Sequence, residues 1–73
     1  MIMEEIICEL NGSDFIELNS MLKLKNLVNS GGEAKIRILH GEALVNGEVE
    51  MRVRRKLRAN DVVEFDGHVI RIK

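Results

Sequence analysis

The sequence contains no proline, tryptophan or tyrosine, and it has one cysteine and two phenylalanines among its 73 residues. The lone Cys8 cannot form an internal disulfide, and a small domain without disulfides fits a reducing cytosol better than a secreted context. No apolar run approaches the roughly 20 residues that cross a membrane, and the first residues lack a basic leading region. We therefore expect a cytoplasmic protein with no targeting segment and no membrane partner.

The short chain also limits the size of any enclosed site. A chain of this length forms one domain and buries only about 60% of its unfolded surface. We therefore expect residues 1–73 to form a single domain with a thin core. That core leaves no room for a large active site or a small-molecule substrate. The 45% content of hydrophobic residues argues against intrinsic disorder.

The scarcity of aromatic residues bears on nucleic-acid binding. Phe15 and Phe65 both stand in apolar contexts, which predicts core packing for each. Proteins that bind single strands normally stack bases on exposed aromatic rings. Any RNA partner is therefore expected to be folded or helical, and to be recognised through its shape and its phosphates.

Charge is distributed unevenly along the chain. The formal net charge of −1 conceals a difference between the two halves. Residues 1–34 carry six acids and two lysines, whereas residues 35–73 carry nine bases and six acids. The halves therefore have net charges of −4 and +3. Such asymmetry creates a local positive potential that the total does not reveal.

Apolar spacing predicts a strand followed by two helices. Residues 3–10 indicate a strand, and Phe15 to Leu18 indicate either a short second strand or the approach to a helix. Helical spacing then recurs at apolar positions 18, 21, 22, 24, 27 and 28. Ser30 followed by Glu33 is a capping box, which predicts a second helix that ends near His40. In that helix, Ala34, Ile38 and Leu39 are expected to pack against the first helix.

Turn residues in the second half predict short strands. Gly41 is expected to end the second helix in the left-handed conformation. Asn46-Gly47 and Asp66-Gly67 are dipeptides preferred in tight hairpin turns, and valine and isoleucine flank them. A strand, two helices and several short strands together predict an α+β fold.

No enzyme or metal motif is present. The glycines after Asn29 lack the lysine-serine ending of a nucleotide-binding loop. Cys8, His40 and His68 lack the spacing of metal ligands. We expect no catalysis, no metal and no other cofactor.

Two features are candidates for binding a phosphate. The first is the start of the second helix, where the amides of Gly31 and Gly32 and the side chain of Lys35 can border one anion. The second is a basic run between residues 52 and 58, with five cations in seven positions. Four of the five are arginines, whose planar fork suits phosphate. A strand or loop face that is simply exposed to solvent explains such a run equally well.

These segments, taken in order, resemble a known family. The residues that carry the resemblance are Leu18 to Leu27, Ser30-Gly-Gly-Glu-Ala-Lys35, Gly41, Val45-Asn-Gly-Glu48 and Lys56-Leu-Arg-Ala-Asn-Asp-Val-Val63. Over residues 15–73 they resemble the S-four-like RNA-binding domain, which contains the αL motif and is named for small-subunit ribosomal protein four. The match is best with small stand-alone bacterial members. The resemblance implies two packed helices beside a small, bent, mostly antiparallel β sheet.

The resemblance also implies a contact surface. Family members grip structured RNA in ribosomal proteins, RNA-modifying enzymes and synthetases. Their contacts, carried over to this chain, fall on Ser30, Gly31, Gly32, Lys35, Arg37, Asn46 and Gly47. The adjoining basic run contributes Arg52, Arg54, Arg55, Lys56 and Arg58. Two positions depart from the family pattern: Asn60 replaces a frequent glycine, and Leu44 replaces a frequent basic residue.

Three hypotheses follow for the function. The first is a non-catalytic module that binds structured RNA, either ribosomal or transfer RNA. The second is a protein–protein adaptor whose basic patch meets an acidic partner. Beside it stands weak self-association, in which the acidic half of one copy meets the basic half of another. The third is an enzyme, which would need a partner subunit to supply the chemistry.

Overall fold

The computed structural model describes residues 4–73. Residue 3, the predicted first residue of the N-terminal strand, lies outside this range. The elements in chain order are β1 (Glu4–Cys8), β2 (Ile16–Glu17), α1 (Leu18–Leu24), α2 (Gly31–Leu39), β3 (Ala43–Val45), β4 (Glu48–Val49), β5 (Lys56–Leu57), β6 (Val62–Phe65) and β7 (His68–Ile72). The predicted α+β class is confirmed.

The strands form one sheet of five strands and a separate ribbon of two. The larger sheet has the order β1-β7-β6-β3-β4, and its pairs are antiparallel except for the parallel pairing of β1 with β7. The sheet is therefore mixed. The ribbon pairs β2 with β5, with Ile16 opposite Leu57 and Glu17 opposite Lys56. The segment after Phe15 is thus a short strand that leads directly into α1.

The core lies between the two helices and the inner face of the sheet. Leu18, Met21 and Leu22 of α1 are buried, as are Ala34 and Ile38 of α2. They pack in one cluster with Cys8, Val28, Ala43, Val45, Leu57, Val63, Phe65, Ile70 and Ile72. The predicted core roles of Ala34, Ile38 and Phe65 are confirmed. Leu39 is 44% exposed, so its predicted packing against α1 is wrong.

The first helix is shorter than its apolar spacing predicts. It ends at Leu24, which is 60% exposed, because Asn26 adopts a left-handed conformation with φ of 59°. The amides of Asn26 and Leu27 then donate to the carbonyls of Lys23 and Leu22, which is the pattern of a Schellman motif. The chain after Leu24 brings Val28 into the core without helical geometry.

The predicted turns are confirmed. Asn46-Gly47 has φ values of 53° and 85°, and Asp66-Gly67 has values of 52° and 80°. Positive φ at both central residues is what tight hairpin turns of this class require. Gly41 ends α2 with φ of 78°, and Asn60 holds its turn with φ of 79°. Asparagine thus adopts the geometry for which the family often uses glycine.

Candidate functional site

The N-terminus of α2 is capped as predicted, with one difference. Ser30 is extended, and its Oγ accepts a hydrogen bond of 3.1 Å from the Glu33 amide. The Glu33 carboxylate accepts a bond of 2.8 Å from the Asn29 amide, one residue before the expected partner. The capping box is therefore shifted at one end. Among residues 4–73, no acceptor is bonded to the amides of Gly31 and Gly32.

Two glycines occupy helical positions that have room for a side chain. A Cβ on Gly31 would meet nothing within 4 Å, and one on Gly32 would lie 3.8 Å from Ser30 Oγ. Neither has a positive φ. Glycine in a helix is less stable than alanine by up to about 1 kcal/mol. Packing and backbone geometry therefore do not require glycine at either position.

Lys35 and Arg37 of α2 have different surroundings. Lys35 lies one turn beyond Gly31 on the same helix face, is exposed, and has no carboxylate within 4 Å in the described part of the chain. Arg37 Nε donates to Glu42 Oε1 at 2.9 Å, and its guanidinium also lies near Glu33 and over the Phe65 ring. The hydrogen bond to Glu42 is the main cause of a raised pKa for Arg37. Its charge is largely engaged within the fold.

The turn at Asn46-Gly47 is fastened to the end of the basic run. Asn46 Nδ2 donates to Asp61 Oδ1 at 3.0 Å, and Asn46 Oδ1 accepts from the Val62 amide at 2.9 Å. The other oxygen of Asp61 accepts from the Arg58 amide at 2.8 Å. The side chain of Asn46 therefore holds the turn in place, and the backbone of the exposed turn is what remains open to a ligand.

The basic run lines an open depression on the surface. We call it the basic depression, and its walls are formed by Arg52, Arg54, Arg55 and Lys56. Within the run, residues 52, 54, 56 and 58 are exposed, whereas 53, 55 and 57 are partly or fully buried. Backbone bonds from the amides at 18 and 19 to the carbonyls at 55 and 53 fasten the run to the start of α1.

A buried carboxylate holds two of these arginines. Glu50 is 8% exposed, and its oxygens accept from Arg52 Nε at 2.9 Å and Nη2 at 2.8 Å. Arg55 Nη1 donates to the same carboxylate at 2.7 Å. The hydrogen bonds from Arg52, assisted by Arg55, lower the pKa of Glu50 to about 2 even though burial opposes this. Glu50 therefore stays ionised and fixes one wall of the basic depression.

A third arginine of the run, Arg54, has its carboxylate partner on β2. Arg54 Nε donates to the Glu17 carboxylate at 3.1 and 3.3 Å. Three arginines of the basic run thus have acidic partners, and none of these pairings was predicted from the sequence. The Lys56 ammonium and the Arg58 guanidinium have no carboxylate oxygen within 4 Å among the residues that the structure describes.

Phe15 lies beside these two cations, and its predicted place in the core is wrong. Its side chain is 37% exposed. Lys56 Nζ lies 4.8 Å from the ring centroid and Arg58 Cζ lies 5.6 Å from it. The register of the ribbon, continued by one residue, places Phe15 opposite Arg58. Phe15 directly precedes β2, which among residues 4–73 pairs with β5 alone in a ribbon of two strands, and this position at the end of the ribbon leaves its ring exposed.

Two further features concern clusters of metal-ligand side chains and long apolar helices. No group of three or more histidine, cysteine or acidic side chains within residues 4–73 is placed to hold a metal ion. No helix in that range is both long and apolar enough to cross a bilayer. Cys8 lies in the core, where burial raises the pKa of its thiol.

Comparison with known proteins places the chain in a family. The S4 domain matches residues 8–73. YbcJ of Escherichia coli (strain K12) is 42% identical over 57 residues, which cover 78% of this chain and 81% of YbcJ. A Bacillus subtilis (strain 168) protein named "Probable ribosome maturation protein RlbA" is 44% identical over 55 residues, covering 75% and 78% of the two chains.

A solved structure supports the same assignment. The solution structure of Escherichia coli YbcJ, described as revealing an αL motif involved in RNA-binding, aligns with a TM-score of 0.68 and 36% identity. The alignment covers 99% of this chain and 89% of that one. The two helices and the αL motif predicted from the sequence agree with this match, as does the mixed sheet that the structure shows. The chain belongs to the S4 domain family.

Proposed function

We propose that this chain is a non-catalytic RNA-binding module that grips structured RNA in the cytoplasm. The observation that carries the proposal is the pair of helical glycines, Gly31 and Gly32, at the start of α2. Both have room for a side chain that would stabilise the helix, and both amides are free of acceptors among residues 4–73. Two bare backbone amides at a helix N-terminus let a phosphate approach the positive end of the helix dipole.

Cations on α2 and in the basic run fit the same ligand. Lys35 supplies a cation that has no carboxylate partner among residues 4–73, and the basic depression supplies further arginine donors. Arg52, Arg54 and Arg55 keep some N–H groups free of carboxylates even though each has an acidic partner. An arginine held by a carboxylate on one edge can offer its other edge to a phosphate at little entropic cost.

The relatives point toward ribosomal RNA. YbcJ is described with an αL motif involved in RNA-binding, and the Bacillus relative carries ribosome maturation in its name. We therefore propose ribosomal RNA as the partner, with transfer RNA as the alternative ligand of the same surface. The proposed contacts are Ser30, Gly31, Gly32, Lys35, Arg37, Asn46, Gly47, Arg52, Arg54, Arg55, Lys56 and Arg58.

Titration with RNA at several salt concentrations tests the proposal. Purified ribosomal RNA and transfer RNA are titrated against the protein. If about four phosphates are contacted, log affinity falls with log salt at a slope near −3. Lys35→Gln should weaken binding about equally for all RNA sequences. Lys23→Gln removes the same charge from an exposed position on α1 and serves as the matched control.

Two results would contradict the proposal. One is binding that does not change with salt. The other is equal affinity for the Lys35→Gln variant, the Lys23→Gln variant and the unaltered protein. Crosslinking in cells adds an independent test, because recovery of a protein partner with only background RNA would instead support the adaptor hypothesis.

A further inference from the structure

The ribbon formed by β2 and β5 presents one face to solvent and one to the core. Ile16 and Leu57 point inward, and Leu57 is fully buried. Side chains alternate along a strand, so Phe15 and Glu17 share the outer face with Lys56 and Arg58. This outer face therefore combines an exposed aromatic ring with two cations.

The two cations of this face differ from the arginines beside them. Arg54 is occupied by Glu17, and Arg52 and Arg55 are occupied by Glu50. The charged groups of Lys56 and Arg58 instead lie over the Phe15 ring, and neither has a carboxylate oxygen within 4 Å among residues 4–73. A cation–π contact at an exposed site contributes only about 0.5–1 kcal/mol. Both charges therefore remain available to an incoming anion.

A nucleotide matches this combination of groups. Its base has a flat π-face that stacks on an aromatic ring, and its phosphate pairs with lysine or arginine. A base inside an RNA helix already stacks on both sides, whereas an unpaired base in a bulge or loop can turn outward. Lys56 also lines the basic depression, so the ribbon face is continuous with the proposed RNA surface.

We propose that Phe15, Lys56 and Arg58 form a site for one unpaired nucleotide of the bound RNA. The proposal rests on the RNA-binding function and adds a ligand class that phosphate contacts alone do not supply. The base stacks on the Phe15 ring after the cations shift toward the phosphate on its 5′ or 3′ side. The protein thereby distinguishes a stem with an unpaired nucleotide from a perfect duplex.

The protein's composition makes this site easy to probe. The chain has no tryptophan and no tyrosine, so Phe15→Trp introduces the sole strong fluorophore at the site. Two RNA hairpins of identical stem sequence serve as ligands, one fully paired and one with a single bulged adenosine. We expect the bulged hairpin to quench the fluorescence of Phe15→Trp through stacking, and the paired hairpin to quench it much less. Leu24→Trp, at another exposed apolar position, is the matched control and should respond to neither.

Affinity measurements with conservative variants complete the test. Phe15→Leu keeps an apolar side chain and should weaken binding of the bulged hairpin about fivefold or more, with little effect on the paired one. Lys56→Gln with Arg58→Gln should reduce the preference for the bulge further. Circular dichroism of each variant confirms that it is folded before binding is compared.

The outcomes separate this inference from the proposed function. The nucleotide site is overturned if both hairpins bind and quench equally, or if Phe15→Leu binds the bulged hairpin as tightly as the unaltered protein. In that case, a loss of affinity for both hairpins in Lys35→Gln would show that RNA binding itself still holds. Failure of the unaltered protein to bind either hairpin or ribosomal RNA would overturn both proposals.

Discussion

Glu50 and Arg52 form a two-pronged ion pair across only two residues, with Arg52 Nε and Nη2 lying 2.9 and 2.8 Å from the two carboxylate oxygens. The amide of Arg52 adds a third bond of 3.0 Å to the same carboxylate. Because Glu50 is buried and also accepts from Arg55, it holds the loop that leads into the basic depression. The shape of the proposed RNA surface thus depends on one acidic residue.

Replacement of Glu50 should destabilise the protein in a pH-dependent way. The pKa of Glu50 is lowered from 4.5 to about 2 in the folded protein. Its ionised form therefore stabilises the fold above pH 4.5, and this contribution is lost as the pH falls toward 2. Glu50→Gln should cost about 2–3 kcal/mol at pH 7. Urea unfolding at pH 7, 4 and 2.5 measures the difference.

The unaltered protein is measured under the same conditions. The other acids titrate in both proteins alike, so the difference in unfolding free energy between them reports on Glu50. The gap in unfolding free energy should narrow as the pH falls, because protonated glutamate resembles glutamine. A gap that stays constant between pH 7 and pH 2.5 would contradict the role given to the Glu50–Arg52 pair.

Alanine at the helical glycines should separate stability from binding. Gly31→Ala and Gly32→Ala each remove backbone entropy from the unfolded chain, and each Cβ has room. Each should raise the free energy of unfolding by about 0.5 kcal/mol. RNA affinity should fall, since a methyl group would stand between a phosphate and the amides. Higher stability with unchanged affinity would show that RNA does not approach this backbone.

The turn at Asn60 should tolerate glycine and resist alanine. With φ of 79°, Asn60 lies in the left-handed region, where a Cβ is unfavourable and the asparagine side chain is tolerated. Asn60→Ala should lower the free energy of unfolding by about 1–2 kcal/mol, whereas Asn60→Gly should cost little or nothing. Urea midpoints of both variants measure the difference, and equal midpoints would contradict it.

Cys8 should be protected from alkylation in the folded protein. It is fully buried, and burial raises the pKa of its thiol, so little reactive thiolate forms at pH 8. Iodoacetamide should label the protein only slowly under native conditions and rapidly in urea, as measured by mass spectrometry. Rapid labelling of the native protein would show that β1 separates readily from β7.

Features set by local chemistry were predictable from the sequence. Asn46-Gly47, Asp66-Gly67 and Gly41 each adopt the left-handed geometry expected of them, because that geometry depends on the residues themselves. Ser30 likewise caps α2 through its own hydroxyl. These signals were enough for the second helix, both hairpins and the family resemblance.

Features in which local signals compete, or which depend on distant partners, were not predictable. The end of α1 follows from the left-handed Asn26, which competed with an apolar spacing that continued to Val28. The exposure of Phe15 follows from pairing with β5, far along the chain. One acidic partner of the basic run shows the same limit. Arg54 pairs with Glu17 of β2, far from it in the sequence, so a count of charges near Arg54 could not show that the Arg54 charge is balanced.

The parallel pairing of β1 with β7 bears on the order in which the chain folds. Residue 4 of β1 pairs with residue 68 of β7. The other pairs of the large sheet are closer in sequence: β3–β4 and β6–β7 are hairpins, and β3 pairs with β6. Closing a longer loop costs more entropy, by about 0.6 kcal/mol for each doubling of its length, so we expect the hairpins to form before β1 docks. We therefore expect the amides that bond β1 to β7 to exchange with deuterium sooner than those that bond β6 to β7.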